Sequence, residues 1–336
     1  MTREEFRENV LLRDDGLCVI CHPSVVAATD VHHIMERRLF DDGGYDIDNG
    51  ASLCSEHHIL AEKTAFSCED IRLAAGITRI ILPPHLYDDQ VYDKWGNIVN
   101  EDGTRLKGEL FFDPSVQKAL HDVLHSFRSH VKYPRTLHLP WSNPSSDDKV
   151  MEDLSSLVGQ EVVAMLKLDG ENTNCYRDRI HARSTEPAVG DDRARVKAIH
   201  GMIAHEIPEG WRICGENVYA KHSIHYHHLG AWFYVFGIWN DLNRCLSWDE
   251  TIEWCELLDL MHVPVLYRGV WDESIIRGLP QAMYGEDEME GIVVRVTRGF
   301  SYGEFRKVVA KYIRPEHVKS DRHWRHQTMI PNEVNP

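Results

Sequence analysis

The sequence predicts an α+β chain built largely of antiparallel sheets with flanking helices, preceded by a small Cys/His-rich module. Three observations carry that expectation. The apolar runs Val162–Leu168, Trp211–Cys214, Trp232–Trp239, Gly291–Val296 and Lys307–Ile313 have strand length and turn residues between them. The helical stretches Asp192–His205 and Trp248–Met261 interrupt these runs without the regular alternation of a parallel βαβ fold. Cys18, Cys21 and Cys54 fall with His57 in the first 64 residues at metal-like spacing.

At 336 residues the chain can hold two or three domains, and 43% hydrophobic with 27% charged residues is ordinary for a soluble protein. The start, Met-Thr-Arg-Glu-Glu-Phe-Arg, lacks an apolar core, so no signal peptide is expected, and no run approaches a membrane span. The other cysteines, at 68, 175, 214, 245 and 255, are scattered through apolar surroundings, which suits a reducing compartment and makes the cytoplasm the expected location. A net charge of −16 argues against coating nucleic acid by bulk electrostatics. One basic tract stands out. Arg306, Lys307, Lys311, Arg314, Lys319, Arg322 and Arg325 face only Glu316 and Asp321, a pattern that fits a phosphate grip or a solvated charged face equally.

Residues 1–64 read as a compact zinc module. Residues 65–132 read as a connector packed on one neighbour: a helical pattern at Ser67–Ala75, a Pro-Pro turn at 83–84, a hairpin-like stretch at Trp95–Lys107 and a helix over Pro114–Val131. The Pro/Ser/Asp-rich segment from Tyr133 reads as loop and marks the boundary of a third region, 133–325, followed by a tail, 326–336.

Cys18-Val-Ile-Cys21 and Cys54-Ser-Glu-His57 are two pairs with the same two-residue gap, able to wrap one tetrahedral Zn²⁺ with three thiolates and an imidazole. Between and after them lie His32-His33-Ile, Gly43-Gly44, Asp48-Asn49 and His58. This order resembles the HNH (ββα-metal) nuclease family. The resemblance implies a hairpin carrying His33 as general base, Asn49 holding the loop or orienting the imidazole, and His58 on a helix binding a divalent ion. A His-His pair stands where many members have Asp-His, so His32 replaces a carboxylate. Cleavage of nucleic acid and simple binding of nucleic acid or protein both remain open for this module.

Farther along, Leu166-Lys167-Leu168-Asp169-Gly170-Glu171-Asn172 follows the run Glu161–Met165 and places an amine on a tight turn. Downstream, in order, come His181-Ala-Arg183-Ser184, Cys214-Gly215-Glu216-Asn217-Val-Tyr219-Ala, Phe233-Tyr-Val-Phe236-Gly, Glu290-Gly291-Ile-Val-Val-Arg295 and Val308-Val-Ala-Lys311-Tyr-Ile-Arg314. Singly, each has an ordinary alternative: Phe236 as core, Glu216 and Glu290 as caps or surface, Arg183 as a surface ion-pair partner. The ordered set over residues 133–325 resembles the covalent nucleotidyltransferases, the superfamily of DNA ligases, RNA ligases and mRNA capping enzymes. The stretches 134–142 and 215–223 are most similar to bacterial and phage RNA ligases.

That resemblance implies an ATP-dependent RNA ligase that seals 5′-phosphate to 3′-OH ends through lysyl-AMP, in RNA repair, with ATP, Mg²⁺ (or Mn²⁺) and Zn²⁺ as cofactors. Lys167 would be the nucleophile, on the turn made by Asp169 and Gly170, and Arg183 would contact the phosphates or the 3′-OH strand. Glu216 would accept hydrogen bonds from the ribose, Phe236 would stack on adenine, Glu290 would help hold Mg²⁺, and Asn172 would serve sealing. A free Lys amine has a pKa of about 10.4, so Mg²⁺ and Lys311 beside the α-phosphate would have to lower it. The last motif departs from the family: Val309 stands where a second lysine is usual, with Lys307 four residues before Lys311. Leu166 stands where some relatives have Glu, and the tail is too short for a separate C-terminal domain. RNA is the expected partner, as nicked duplex or RNA/DNA hybrid, with no membrane and no identifiable protein partner. Rival readings are a DNA ligase, a capping-type nucleotidyltransferase, and an HNH endonuclease whose ligase-like half only senses a nucleotide.

Overall fold

The computed structural model describes residues 1–335 except 22, 89, 145–147, 186–189, 280–282, 285 and 316–328. Its described residues form two compact units, 1–129 and 130–336, each α+β with antiparallel sheets. Glu316, Lys319, Asp321, Arg322 and Arg325 of the basic tract lie outside the described residues.

In the first unit, helix α1 (Arg3–Arg13) starts at a Thr2/Glu5 capping box that satisfies its free N–H groups. A 3₁₀ turn, Val19–Cys21, leads to the antiparallel ribbon β1 (Asp30–His33) and β2 (Gly50–Leu53), and then to α2 (Ser55–Glu62). This is a ββα arrangement. The region after residue 64 belongs to the same core. Cys68 and Ile71 of α3 (Cys68–Ala74) pack with Ile34, Met35, Leu53 and Tyr92. A hairpin, β3 (Ile98–Val99) and β4 (Arg105–Leu106), is tied in by buried Asp93, which accepts from the Trp95 amide at 3.0 Å and pairs with Arg105 at 2.8 Å. Arg105 also donates to Thr64 Oγ1 at 2.7 Å, so the end of the ββα element and the hairpin share one polar network. The helix expected over 114–131 is shorter: α4 spans Pro114–Ala119 and gives way to a 3₁₀ stretch, His121–Ser126. Asp113 caps its start, and the His-Asp-Val-Leu-His-Ser run beyond is a poor helix former.

The second unit holds two sheets. Five strands run in the order β13 (Val265–Val270), β6 (Glu161–Lys167), β16 (Gly291–Val296), β18 (Val309–Ile313) and β5 (Leu137–His138). Around them pack the apolar side chains of 162–166, 292, 294 and 296. The other sheet runs β17 (Phe300–Ser301), β11 (Arg244–Cys245), β10 (Phe233–Trp239), β9 (Arg212–Asn217), β7 (Glu171–Tyr176) and β8 (Ile180–Ala182), with β12 (Met261–His262) beside β10. Helices α5 (Ala194–Ile203) and α6 (Trp248–Leu257) contribute Val196, Ile203 and Cys255 to that sheet's own apolar cluster. A short pair, β14 (Met283–Tyr284) and β15 (Asp287–Glu288), and α7 (Glu273–Gly278) complete it.

The run Lys307–Ile313, expected as one strand, is divided: Phe305–Val308 is a helical turn, α8, and the strand begins at Val309. Burial of Phe305 and Val308 against the core favours the turn, because a strand would send them to opposite faces. Arg314 is buried as well, donating to the Met289 carbonyl and pairing with Glu288 at 2.7 Å, so it is no part of an open cationic face. The expected tail is also structured. Residues 330–335 hydrogen-bond to the loop 219–229.

Candidate functional site

Lys167 ends β6, and the register there brings the rest of the site together. Lys167 pairs with Gly291, and Met165 with Val293, which in turn pairs with Lys311. Residues two apart on a strand share a face, so Lys167 and Lys311 project into the same cavity, about 270 Å³ in volume. Glu216, Asn172, Arg183, Phe236 and Gly170 line it too. Gly291 has no room for a side chain, since a Cβ there would lie 1.9 Å from the Tyr312 carbonyl oxygen. Gly170 likewise lies against the Asn217 carbonyl, 2.5 Å from where a Cβ would sit.

The electrostatics are those of a poised, protonated amine. Lys167 Nζ donates to Glu290 Oε2 at 2.5 Å, and Glu290 is 5% exposed. Burial works against the ammonium, but Glu290, Glu216 and Asp169 outweigh it and hold the Lys167 pKa above its usual value. The lowered value expected for a nucleophile is therefore not the property of the protein alone: the carboxylates favour the charged form, and only added positive charge, such as a bound divalent cation, would oppose them. Burial, reinforced by Glu290 and Asp169, pushes Glu216 up to about 8 against the pull of Lys167. Its Oε1 accepts the Gly170 amide at 3.2 Å.

Phe236 reaches the cavity through a β-bulge. Val235 pairs with Gly215 and Gly237 with Cys214, leaving Phe236 as the extra residue, half-buried rather than in the core. Arg183 has a buried Nε with no hydrogen-bond partner among the described residues, a donor that an anion would satisfy. Asn172 lies opposite Glu216 and accepts from Asn174 Nδ2 at 3.0 Å. Asp169 turns away from the cavity. Its carboxylate accepts the Ser223 amide (2.7 Å), the Ser223 hydroxyl (2.8 Å) and the Ile224 amide (2.8 Å), fixing the turn after Lys167. Lys307 sits on α8, outside the cavity wall. Tyr219 packs edge-on against Trp232 at 5.2 Å, also away from the cavity. The sequence reading missed Asp148 and His138: Asp148 lies 3.8 Å from Lys311 Nζ, at ion-pair distance, and 3.3 Å from buried His138 Nε2. No local signal marks them, because Asp148 follows a Pro/Ser-rich stretch and His138 sits on a two-residue strand.

Residues 160–313 match the family model described as RNA ligase. No curated protein matches the chain by sequence. Among solved structures, it is similar to a Naegleria gruberi RNA ligase mutant with ATP and Mn, at 16% identity and a TM-score of 0.36, covering 59% of this chain and 69% of that one. The same enzyme with PPi gives 17% identity, a TM-score of 0.35 and coverage of 68% and 76%. An Aquifex aeolicus chain named as an ATP-dependent DNA ligase gives 20%, 0.37 and coverage of 55% and 50%. No helix among the described residues of this chain is long and apolar enough to cross a membrane.

The first unit gathers Cys18, Cys21, Cys54 and His57, with one ligand atom of each within 4.8 Å of the others. The 3₁₀ turn Val19–Cys21 presents one pair, and the N-terminus of α2, capped by Cys54, presents the other. The thiols lie 3.2 to 3.4 Å from His57 Nδ1. Burial opposes ionisation of Cys18, yet the amides of Cys54 and Ile20 with neighbouring Cys21 and His57 bring its pKa down to about 7. Burial and the adjacent sulfurs of Cys18 and Cys54 push Cys21 up to about 12. Three sulfurs and one imidazole in one cluster fit the donor chemistry of a closed zinc site.

A second cluster unites His32, His58 and Glu62, of which the sequence reading missed Glu62, four residues past His58 on the same helix face. His32 Nδ1 lies 3.3 Å from Glu62 Oε1, and burial with nearby Lys94 lowers the His32 pKa to about 3. Lys94 Nζ reaches Glu62 at 2.8 Å and donates to the His33 carbonyl at 3.2 Å. The His33 ring is stacked on Phe6 at 4.6 Å and set edge-on to Tyr45 at 5.5 Å, pointing away from that cluster. Burial, again with Lys94, lowers its pKa to about 4. Asn49 is buried and holds the loop, accepting from the Met35 amide and donating to the Met35 and Gly44 carbonyls.

Proposed function

We propose that the chain is an ATP-dependent RNA ligase that joins 5′-phosphate and 3′-OH ends through a lysyl-AMP intermediate on Lys167, in RNA repair. The observation that carries this reading is the cavity in which Lys167, Lys311, Glu216, Arg183 and Phe236 converge, with Glu290 bonded to the amine. In the first step Lys167 Nζ attacks the α-phosphorus of ATP, a P–N bond forms and the P–O bond to pyrophosphate breaks. The ammonium, hydrogen-bonded to Glu290 Oε2 at 2.5 Å, must first lose a proton to water. AMP then passes to the 5′-phosphate, breaking the P–N bond, and attack by the 3′-OH releases AMP. Lys311, 3.8 Å from Asp148, stabilises charge on the transferring phosphoryl group, while Arg183 offers its unsatisfied donor to phosphate. A divalent cation would neutralise phosphate charge, and Glu290 is the buried carboxylate at hand to help hold it. Phe236, half-buried on its bulge, is free to stack on adenine.

The matching experiment is sealing of nicked RNA, DNA and hybrid duplexes with labelled ATP or GTP. Sealing of RNA-containing nicks with ATP, lost in Lys167→Ala, is expected. Labelling by GTP alone, or sealing confined to DNA, would move the assignment to a capping-type enzyme or a DNA ligase.

For the first unit the reading is a zinc-stapled module that binds nucleic acid. Lys94 engages Glu62 and His33 packs on Phe6, which favours binding over cleavage. The cluster of His32, His58 and Glu62 favours hydrolysis as a second reading. Metal-dependent cleavage that survives Lys167→Ala but not His58→Ala would establish that second reading.

A further inference from the structure

A third group of metal-ligating side chains lies in the second unit, outside the nucleotide cavity: His225, His227 and Glu333, with one ligand atom of each within 4.8 Å of the others. Its frame is built by the backbone. The segment 330–335 lies along the loop 219–229, with Lys221 donating to the Ile330 carbonyl (2.8 Å), Asn332 to Tyr219 (2.8 Å), Glu333 to Tyr226 (2.9 Å) and Asn335 to Leu229 (2.9 Å). Buried Asn332 fixes the register, donating to the Val218 carbonyl at 2.8 Å and accepting the Tyr226 amide at 3.0 Å. His227 Nδ1 then lies 3.4 Å from Glu333 Oε1, and the rings of His225 and His227 stand 4.3 Å apart.

Two further contacts shape the ligand set. His225 Nε2 lies 3.2 Å from the Pro331 carbonyl, which can only accept, so that nitrogen carries the hydrogen and Nδ1 is the atom left for a metal. A metal-ligating histidine is held in the same manner, its second nitrogen donating to a backbone carbonyl. The Asp287 carboxylate accepts the backbone amides of His227 (3.0 Å) and His228 (3.2 Å), which steadies the loop and adds negative charge beside it. Two imidazoles and one carboxylate suit a borderline divalent ion with a coordination position left for water.

We propose that His225, His227 and Glu333 bind a divalent transition ion of the zinc class, which pins the segment 330–335 to the loop 219–229. That loop also supplies the Ser223 and Ile224 amides that hold Asp169, so the ion braces the turn behind Lys167 without touching the reacting atoms. The proposal does not depend on the nucleotide chemistry.

The test is native mass spectrometry of the full chain loaded with Zn²⁺, beside Glu333→Gln and His227→Ala. Each variant is expected to hold one ion fewer than the parent. In Co²⁺-loaded protein the intense thiolate-to-cobalt band of the cysteine cluster should be the same in parent and variants, which shows that the first unit is intact. Zn²⁺ should also slow hydrogen exchange at the amides of Lys221, Asn332, Glu333 and Asn335 in the parent and in neither variant. An unchanged ion count in both variants overturns the site. A count that falls only in His227→Ala removes Glu333 from it and overturns the bridge.

Discussion

Removing the Asp169 carboxylate tests how the turn that presents Lys167 is held. Three donors converge on one oxygen of that side chain: the Ser223 amide, the Ser223 hydroxyl and the Ile224 amide. Hydrogen bonds to a charged group contribute about 1.5–3 kcal/mol each, but bonds sharing one acceptor are not additive, and the hydroxyl can turn to water. A loss of about 3 kcal/mol in Asp169→Ala is the reasonable sum. With a urea m-value of about 2–3 kcal/mol/M, the unfolding midpoint moves down by about 1 M. Tryptophan fluorescence follows the correct unit, since Trp95 is the only tryptophan before residue 130. The pH dependence is a second signature. Burial alone would raise the Asp169 pKa, but Lys167, the Ile224 amide and the Ser223 hydroxyl outweigh it and lower the value. A carboxylate with a depressed folded pKa contributes its stability above the ordinary Asp value of about 3.9 and loses it as the pH falls through the folded value. The gap between parent and Asp169→Ala should therefore be constant from about pH 6 to 8 and close in acid. Asp169→Asn, which keeps one acceptor, should recover part of it. A midpoint shift under about 0.2 M at neutral pH, or a gap that persists unchanged in acid, would refute this account of the turn.

Other substitutions probe the remaining parts. Gly291→Ala forces a Cβ onto the Tyr312 carbonyl and should cost about 3 kcal/mol while abolishing adenylylation; wild-type labelling in a stable variant would contradict the β16–β18 register. Phe236→Ala should raise the KM for ATP about tenfold, equivalent to about 1.4 kcal/mol, with Phe236→Tyr close to the parent, measured by initial rates of labelling. Chelation of zinc, or Cys21→Ser, should remove the cooperative unfolding of the first unit followed at Trp95 and leave the second unit's transition in place; an unchanged first transition would mean that the four ligands are not its staple.

Long apolar runs were the legible part of the fold. Glu161–Lys167, Phe233–Trp239 and Gly291–Val296 are buried strands and stand close to where their composition places them. Strands with polar faces were not legible: β7 reads Glu-Asn-Thr-Asn-Cys-Tyr, and β13 is an edge strand with an exposed pattern, so neither offers a continuous apolar signal. Lys167, Glu216 and Lys311 were found through their ordered motifs, and the structure puts them around one cavity. What sequence could not show was direction. Asp169 points away from the cavity because its loop supplies better donors there, Phe236 enters it only through a bulge, and Lys307 stays out because its turn is helical. Glu62 and Lys94 were missed for a similar reason, since they meet His32 and His58 only after the chain has folded back on itself.

The ligase reading of the second unit rests on the Lys167 amine becoming covalently nucleotidylated, and the direct measurement is intact-protein mass after incubation with ATP and Mg²⁺, followed by peptide mapping. The account predicts one added AMP, labile to acid and stable to alkali as a phosphoramide, carried on Lys167 and absent from Lys167→Arg. A parent protein that gains no nucleotide, or an adduct that maps to another side chain or persists in Lys167→Arg, would contradict it.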